Sequence, residues 1–185
     1  MRLSTCILAG LLAVGAGAAH AGTTTGDFDF LLGQWQIELQ PKVSGLAAMI
    51  HGTPKLTGTL KAWRVFDGAG VEDELRIVDA SGNPVALSRA LLVKARDDGH
   101  WVVSTVDAYR ATASEALGRK QDAELRLDGR GKGPDGRELL TRTRYFEIGA
   151  DGFRMQQDRS YDNGQTWDEA VVAYTAKRTA AAAAE

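Results

Sequence analysis

Six clusters of turn-forming residues divide the chain after Gly33, and none of the segments between them holds a helical period for three turns. The clusters are Asp67-Gly68-Ala69-Gly70, Ser81-Gly82-Asn83-Pro84, Asp97-Asp98-Gly99, the span from Asp128-Gly129 to Asp135-Gly136, Ala150-Asp151-Gly152 and Asp162-Asn163-Gly164. Short alternating or β-branched runs lie between such signals, so strands joined by tight turns are the expected content. The expected strands are Gln34–Gln40, Leu56–Phe66, Val71–Val78, Val85–Arg96, His100–Tyr109, Ala123–Leu127, Glu138–Ile148, Phe153–Tyr161 and Trp167–Lys177. An up-and-down antiparallel meander of this length exposes two edges unless it closes, and closure into a barrel removes them. The predicted fold is all-β: one antiparallel barrel behind a short N-terminal helical plug at Phe28, Phe30 and Leu31.

Three segments fit this pattern less directly. Lys42–Thr53 reads as a loop or short helical insert near the barrel mouth, and Tyr109–Lys120 either extends a strand or forms a helical turn. Gly129-Arg130-Gly131-Lys132-Gly133 is glycine-rich and basic, but with no helix after it the segment reads as a flexible loop and not a phosphate cradle. Strand faces are mixed as well. Leu140, Arg142, Arg144 and Phe146 share one face, as do Phe153, Met155, Gln157 and Arg159. Either the arginines line a roomy polar lumen, or they point to solvent while Thr141, Thr143 and Tyr145 fill the interior.

The N-terminus has the three parts of a secretory leader: Arg2, an apolar run from Ile7 to Ala18, and Ala19-His20-Ala21 as a small-x-small cleavage site. The expected organisation is a signal peptide over residues 1–21, a barrel over 22–178 and an alanine-rich disordered tail over 179–185, in a periplasmic or secreted protein. The apolar run is too short to span a bilayer and no later stretch replaces it, so stable membrane insertion is not expected. Cys6, the only cysteine, precedes the apolar run, which excludes thiolate catalysis, disulfides and cysteine metal sites from the cleaved chain. Without Arg2 the balance is 21 basic against 24 acidic residues, with no basic block, so nucleic acid is an unsuitable partner.

Gly33-Gln34-Trp35, preceded by the Phe28/Phe30/Leu31 plug and matched by Lys177-Arg178 on the last strand, resembles the lipocalin and wider calycin pattern. The longer match, from Asp27 to Gly33 and again at Phe153 and Ser160 to Trp167, resembles exported bacterial calycin-like proteins of unassigned function. The resemblance implies a barrel with an internal cavity. In it Gly33 permits a tight entry to strand one, and Trp35 closes the barrel end beneath Arg178 or Lys177. A haem-binding calycin branch also begins with Gly-x-Trp, but the only histidines after the leader are His51 and His100, neither near the C-terminus where that branch places its proximal ligand. No cofactor and no metal are expected.

Ser160, Asp162, Gly164, Thr166 and Trp167 complete an Asp-box pattern. Its physical content is a hairpin: Asp162 accepts backbone N–H bonds, Gly164 takes positive φ and Trp167 packs back beneath the turn. One copy cannot make a propeller. Glu72-Asp73-Glu74 and Asp97-Asp98 are the acidic clusters, and both read as solvated hairpin ends. Serines lie in no Gly-x-Ser-x-Gly setting, so a serine hydrolase is not expected.

The remaining candidates are strand residues suited to a pocket for a small organic ligand: Trp63, Arg89, Trp101, Tyr109, Arg142, Arg144, Met155 and Gln157. Paired arginines in an apolar lumen would favour an anionic head group. The leading expectation is an exported binding protein for a small apolar or amphipathic, and on this reasoning anionic, ligand. A second is a lumen-based isomerase, cyclase or lyase in which Asp107, or another carboxylate raised in pKa by burial, acts as base beside Arg142 or Arg144. A third is a solid barrel that docks a protein partner in the cell envelope.

Overall fold

The computed structural model describes residues 26–39, 42, 55–133 and 135–180. The leader and its cleavage site, His51 with the rest of the Lys42–Thr53 insert beyond Lys42, and residues 181–185 of the expected tail lie outside the described residues. Ten strands form among the described residues: β1 (Gly33–Leu39), β2 (Leu56–Val65), β3 (Gly70–Val78), β4 (Pro84–Lys94), β5 (Trp101–Asp107), β6 (Thr112–Gln121), β7 (Glu124–Lys132), β8 (Glu138–Phe146), β9 (Gly152–Ser160) and β10 (Asp168–Ala180). Each pairs antiparallel with its chain neighbours, and β1 pairs with β10 to close an up-and-down barrel. β10 runs two residues past the expected end of the domain, to Ala180.

The tenth strand, beyond the nine expected, comes from the ambiguous Tyr109–Lys120 segment. Asp107 ends β5 by accepting the backbone N–H groups of Tyr109 at 2.9 Å and Arg110 at 3.1 Å, and Ala111 takes a φ of 53°, so the chain reverses there and β6 begins. β6 is mixed on its outer face, with Leu117 between Glu115 and Arg119, and small at Ser114, Ala116 and Gly118 on its inner one, so its own composition gives little strand signal. The glycine-rich segment is not a loop either. β7 continues through Lys132, with Gly129 paired to Thr141 and Gly131 to Leu139. A Cβ at Gly129 would fall 2.4 Å from the Thr141 hydroxyl, which explains a bare backbone there.

Strand alternation divides the residues cleanly. On β3, Val71, Asp73, Leu75 and Ile77 face inward, and the ladder carries that parity to Ala86, Ser88, Ala90 and Leu92 on β4. It continues to Val103 and Thr105 on β5 and to Thr141, Thr143 and Tyr145 on β8. The outer face is charged at mid-strand positions such as Lys61, Arg76, Glu115, Arg126 and Arg154, which a lipid-facing barrel surface would not tolerate cheaply. No helix among the described residues is long and apolar enough to cross a membrane.

One end of the barrel is sealed. A 3-10 turn, Asp29–Leu31, tucks Phe28 and Leu31 under the strands, both fully buried. Phe28 meets Trp101 edge-on at 5.1 Å, Phe30 meets Phe153 at 5.0 Å, and Phe153 meets Trp35 at 4.9 Å. The Arg178 guanidinium lies 3.9 Å above the Trp35 ring and donates to the carbonyls of Ala150, Leu32 and Phe30. The Trp35 indole N–H donates to the Leu31 carbonyl at 2.6 Å. Asp29 bonds Arg64 at 2.6 Å, and Asp27 takes bonds from Trp101 and Lys94, which tie the plug to β2, β4 and β5. The Trp101 indole, then Lys94, holds the Asp27 carboxyl below its ordinary range despite partial burial.

Close strand approach adds a constraint at Gly58. A Cβ there would sit 2.3 Å from the backbone carbonyl oxygen of Arg76, and backbone cannot swing aside as a side chain can. Gly58→Ala is therefore expected to cost about 1–3 kcal/mol, as overpacking does, read as a lower urea midpoint at unchanged slope. An unchanged midpoint would show that β2 and β3 have slack at this rung.

Candidate functional site

Above the sealed floor the barrel is hollow. The lumen encloses a cavity of about 760 Å³ that is open, among the described residues, at the end that carries the β3–β4, β5–β6, β7–β8 and β9–β10 turns. Small inward residues leave this space: Ala86, Ser88 and Ala90 on β4, Ala116 on β6, and Gly131 on β7. The walls are otherwise apolar, with Leu60, Leu75, Ile77, Leu92, Val103 and Met155.

Polar groups sit at two levels. Towards the floor are Asp73, Tyr145 and Tyr174; Asp73 pairs with Ala62 and Ala90, two alanines that give its carboxyl open space. Asp73 is buried, at 9% relative exposure. Burial pushes its pKa up to about 7, a backbone bond from Ala90 opposes the rise, and the adjacent Glu72 adds to it; among the described residues no cation is near enough to hold the charge. Tyr145 and Tyr174 titrate above the ordinary phenol range because they too are desolvated, with Asp73 adding to the rise in both. Both are neutral donors under ordinary conditions.

Nearer the mouth, Gln157 donates to the Thr143 hydroxyl at 3.1 Å, and Arg159, on the same inward face, donates to the Gln157 carbonyl oxygen. At the rim Asp107 accepts from Arg110 at 2.5 Å as well as from two turn N–H groups. Asp107 therefore does face the cavity, but as the fastener of a turn.

The sequence-derived pocket list divides sharply against this geometry. Met155 and Gln157 line the cavity. Trp101 points inward but belongs to the floor, bonded to Asp27 and set edge-on to Phe28. The other five do not line it, which corrects the expectation. Trp63 lies outside beneath Arg89, whose guanidinium is 5.5 Å from the ring and clamps Glu72 at 3.0 Å and Glu74 at 3.1 Å. Arg142 covers Trp167 at 3.8 Å, and Arg144 bonds Gln156 at 3.1 Å and lies 3.6 Å from Glu124. Tyr109 is exposed in the β5–β6 turn. The physical reason is parity: with Thr141, Thr143 and Tyr145 inside, Arg142 and Arg144 must be outside.

Asp73, Tyr145, Tyr174 and Arg159 were absent from that list. Asp73 had been read as part of a solvated hairpin end, which the structure overturns. Its signal was present in the alternation Val71-x-Asp73-x-Leu75-x-Ile77, which sets the aspartate on an otherwise apolar face.

The Asp-box residues form a rim hairpin. Asp162 accepts from Ser160 Oγ at 2.8 Å, the Thr166 N–H at 2.9 Å and Thr166 Oγ1 at 2.6 Å; Gly164 has a φ of 87°, and Trp167 Nε1 donates to its carbonyl. The Thr166 and Ser160 bonds bring the Asp162 carboxyl down to about 2. His100 pairs with Asp98 in the β4–β5 turn, at the sealed end and outside the cavity.

A scan against protein-family models returns no match, and a comparison with curated proteins returns none either. Among solved structures, one similar chain is a de novo designed fluorescence-activating β-barrel, at 11% identity and a TM-score of 0.37 over 82% of this chain and 95% of that one. Another is EF1p2_mFAP2b bound to DFHBI, at 12% identity and a TM-score of 0.38 over the same shares, 82% and 95%.

Proposed function

We propose that this chain is a binding protein that holds a small amphipathic molecule in its lumen, apolar body against the walls and polar end near the floor. The supporting observation is the hollow interior itself: about 760 Å³ falls within the range of small-molecule sites and combines apolar walls with a few converging polar groups. The leader-like N-terminus and its small-x-small site support export, and on this reading the binder acts in the periplasm or outside the cell. An anionic head group no longer follows from Arg142 and Arg144, because both face outward.

The solid-barrel docking module required a filled interior, and this one is hollow. A lumen-based enzyme remains the second reading, favoured by one observation: Asp73 is a buried carboxyl with a pKa near neutrality, the property of a general acid or base. Its role would replace that of Asp107, which is committed to the rim turn.

The test is fluorescence titration with a neutral apolar dye, Nile red, together with native mass spectrometry of gently purified protein. The dye is expected to brighten and saturate at one site, Ala90→Trp is expected to weaken its binding by crowding the lumen above the floor, and Arg142→Ala is expected to leave it unchanged. Dye binding that survives Ala90→Trp and is lost with Arg142→Ala would place the site on the outer face and overturn the proposal.

A further inference from the structure

The polar end of the lumen has an unusual imbalance. Asp73 is a buried acid aimed into a cavity, and the described groups that face it carry no positive charge. Its neighbours on β2 and β4 are Leu60, Ala62, Ser88, Ala90 and Leu92; β8 and β10 contribute the phenols of Tyr145 and Tyr174; and the plug contributes Leu31. Glu72, the nearest other charge, is on the outer face and engaged by Arg89. Beneath the floor Arg64 is committed to Asp29. Of the luminal cations, Arg110 is held by Asp107 at the rim. Arg159 stands two inward rungs above Met155, roughly 13 Å along the strand at 3.3 Å per residue, and Lys132 is at the same open end.

A buried carboxyl without a countercharge is costly even with one backbone bond from Ala90, and a fold with no use for it would gain stability from an apolar residue. The two phenols beside it can accept hydrogen bonds through their oxygens as well as donate them. A carboxylate and two phenol oxygens at the blind end of an apolar tube form a receptor for a group with several N–H donors and a positive charge.

Resting on the reading of the lumen as a binding site, we propose that its ligand is an amphipathic organic cation, a primary amine whose ammonium group pairs with Asp73 beside the hydrogen-bonded Tyr145–Tyr174 pair while its hydrocarbon part lies along Leu60, Leu75, Leu92 and Met155. The ammonium supplies the countercharge the protein omits. When the amine enters while Asp73 is protonated, the carboxyl gives its proton to solvent and the N–H donors take its place, so capture releases a proton below neutrality and none well above it. Affinity for the amine therefore rises with pH across the titration of Asp73.

The test uses three probes of one chain length, octylammonium, octan-1-ol and octanoate, each displacing Nile red from the full mature protein at pH 5, 6, 7 and 8. Octylammonium is expected to displace the dye at concentrations about 10- to 100-fold lower than octan-1-ol at pH 8, the range of a charge-assisted hydrogen bond in a dry site, with the advantage shrinking towards pH 5. Asp73→Asn is expected to erase that advantage, read within the variant as equal displacing concentrations of octylammonium and octan-1-ol at pH 8. Equal affinity for amine and alcohol, preference for octanoate, or an amine advantage that survives Asp73→Asn would overturn the cation assignment and leave the binding barrel standing. Failure of Nile red and all three probes to bind at any pH would overturn both.

Discussion

Replacing Asp73 with asparagine is expected to stabilise the protein by about 4 kcal/mol at pH 8 and to change it little at pH 4, since each tenfold gain in proton affinity on folding is worth about 1.4 kcal/mol. The folded carboxyl titrates near 7 against an ordinary value of 3.8. Because the folded state holds this proton more tightly than the unfolded state does, the group costs nothing below about pH 4. Its cost grows as pH rises from there to about 7 and is constant above that. Asparagine is nearly the same shape and carries no charge at any pH. Urea unfolding at pH 4, 6 and 8 should therefore give wild-type and variant curves that diverge as pH rises. Lines that stay parallel would mean that water or a rearranged neighbour already solvates the carboxylate. Asp27 and Asp162, whose carboxyls titrate low, lose their contributions as pH falls, but they do so in both proteins and cancel in the difference.

Trp35→Ala is expected to cost about 3–5 kcal/mol, the range for emptying a large aromatic site in a packed interior. Trp35 is 1% exposed, and three things depend on it: the edge contact with Phe153, the indole bond to Leu31 that anchors the plug, and the platform under Arg178. Trp35→Phe keeps part of the packing and loses the indole bond, so it should fall between wild type and alanine. A double-mutant cycle of Trp35→Leu, which removes the ring, with Arg178→Met would isolate the cation–ring contact, with a coupling of roughly 0.5–2 kcal/mol. Coupling near zero would show that Arg178 acts through its three carbonyl bonds alone. Chemical denaturation of the four proteins at one pH is sufficient.

Both substitutions fall at positions the sequence disclosed to different degrees. The floor was the more legible part, because Gly33, Trp35 and the Phe28/Phe30/Leu31 plug depend on local turn chemistry or on large apolar groups that must be buried, and the structure sets Arg178 over Trp35. The lumen was not. In a solid core hydrophobicity tells inside from outside, but β4 reverses the usual cue: small Ala86, Ser88 and Ala90 face the cavity, while Leu87 and Leu91 face out. The bulky polar and aromatic residues that resembled a pocket, Trp63, Arg89, Arg142 and Arg144, are instead an outer cladding in which guanidinium planes cover rings and pair with carboxylates across strands. β6 was hidden for a related reason, since a strand that presents small residues to a void and charges to water lacks the apolar alternation by which strands are read.

Nine of the ten strand pairings join neighbours in sequence and can form as local hairpins or their equivalents. The tenth joins the two ends of the chain, β1 to β10, and Trp35 and Arg178 are direct partners across it. A chain made or threaded from its N-terminus thus presents β1 first, pairs one of its edges with β2, and must leave the other edge unpaired until the last strand arrives. The free edge of β1 is the period of greatest exposure to mispairing, and the rate of closure is set by the longest loop in the molecule. Arg178 is then the latch on a seam: the residue that arrives last also caps the aromatic floor, so an incomplete chain lacks the seam and the cap together and has no closed vessel to fill.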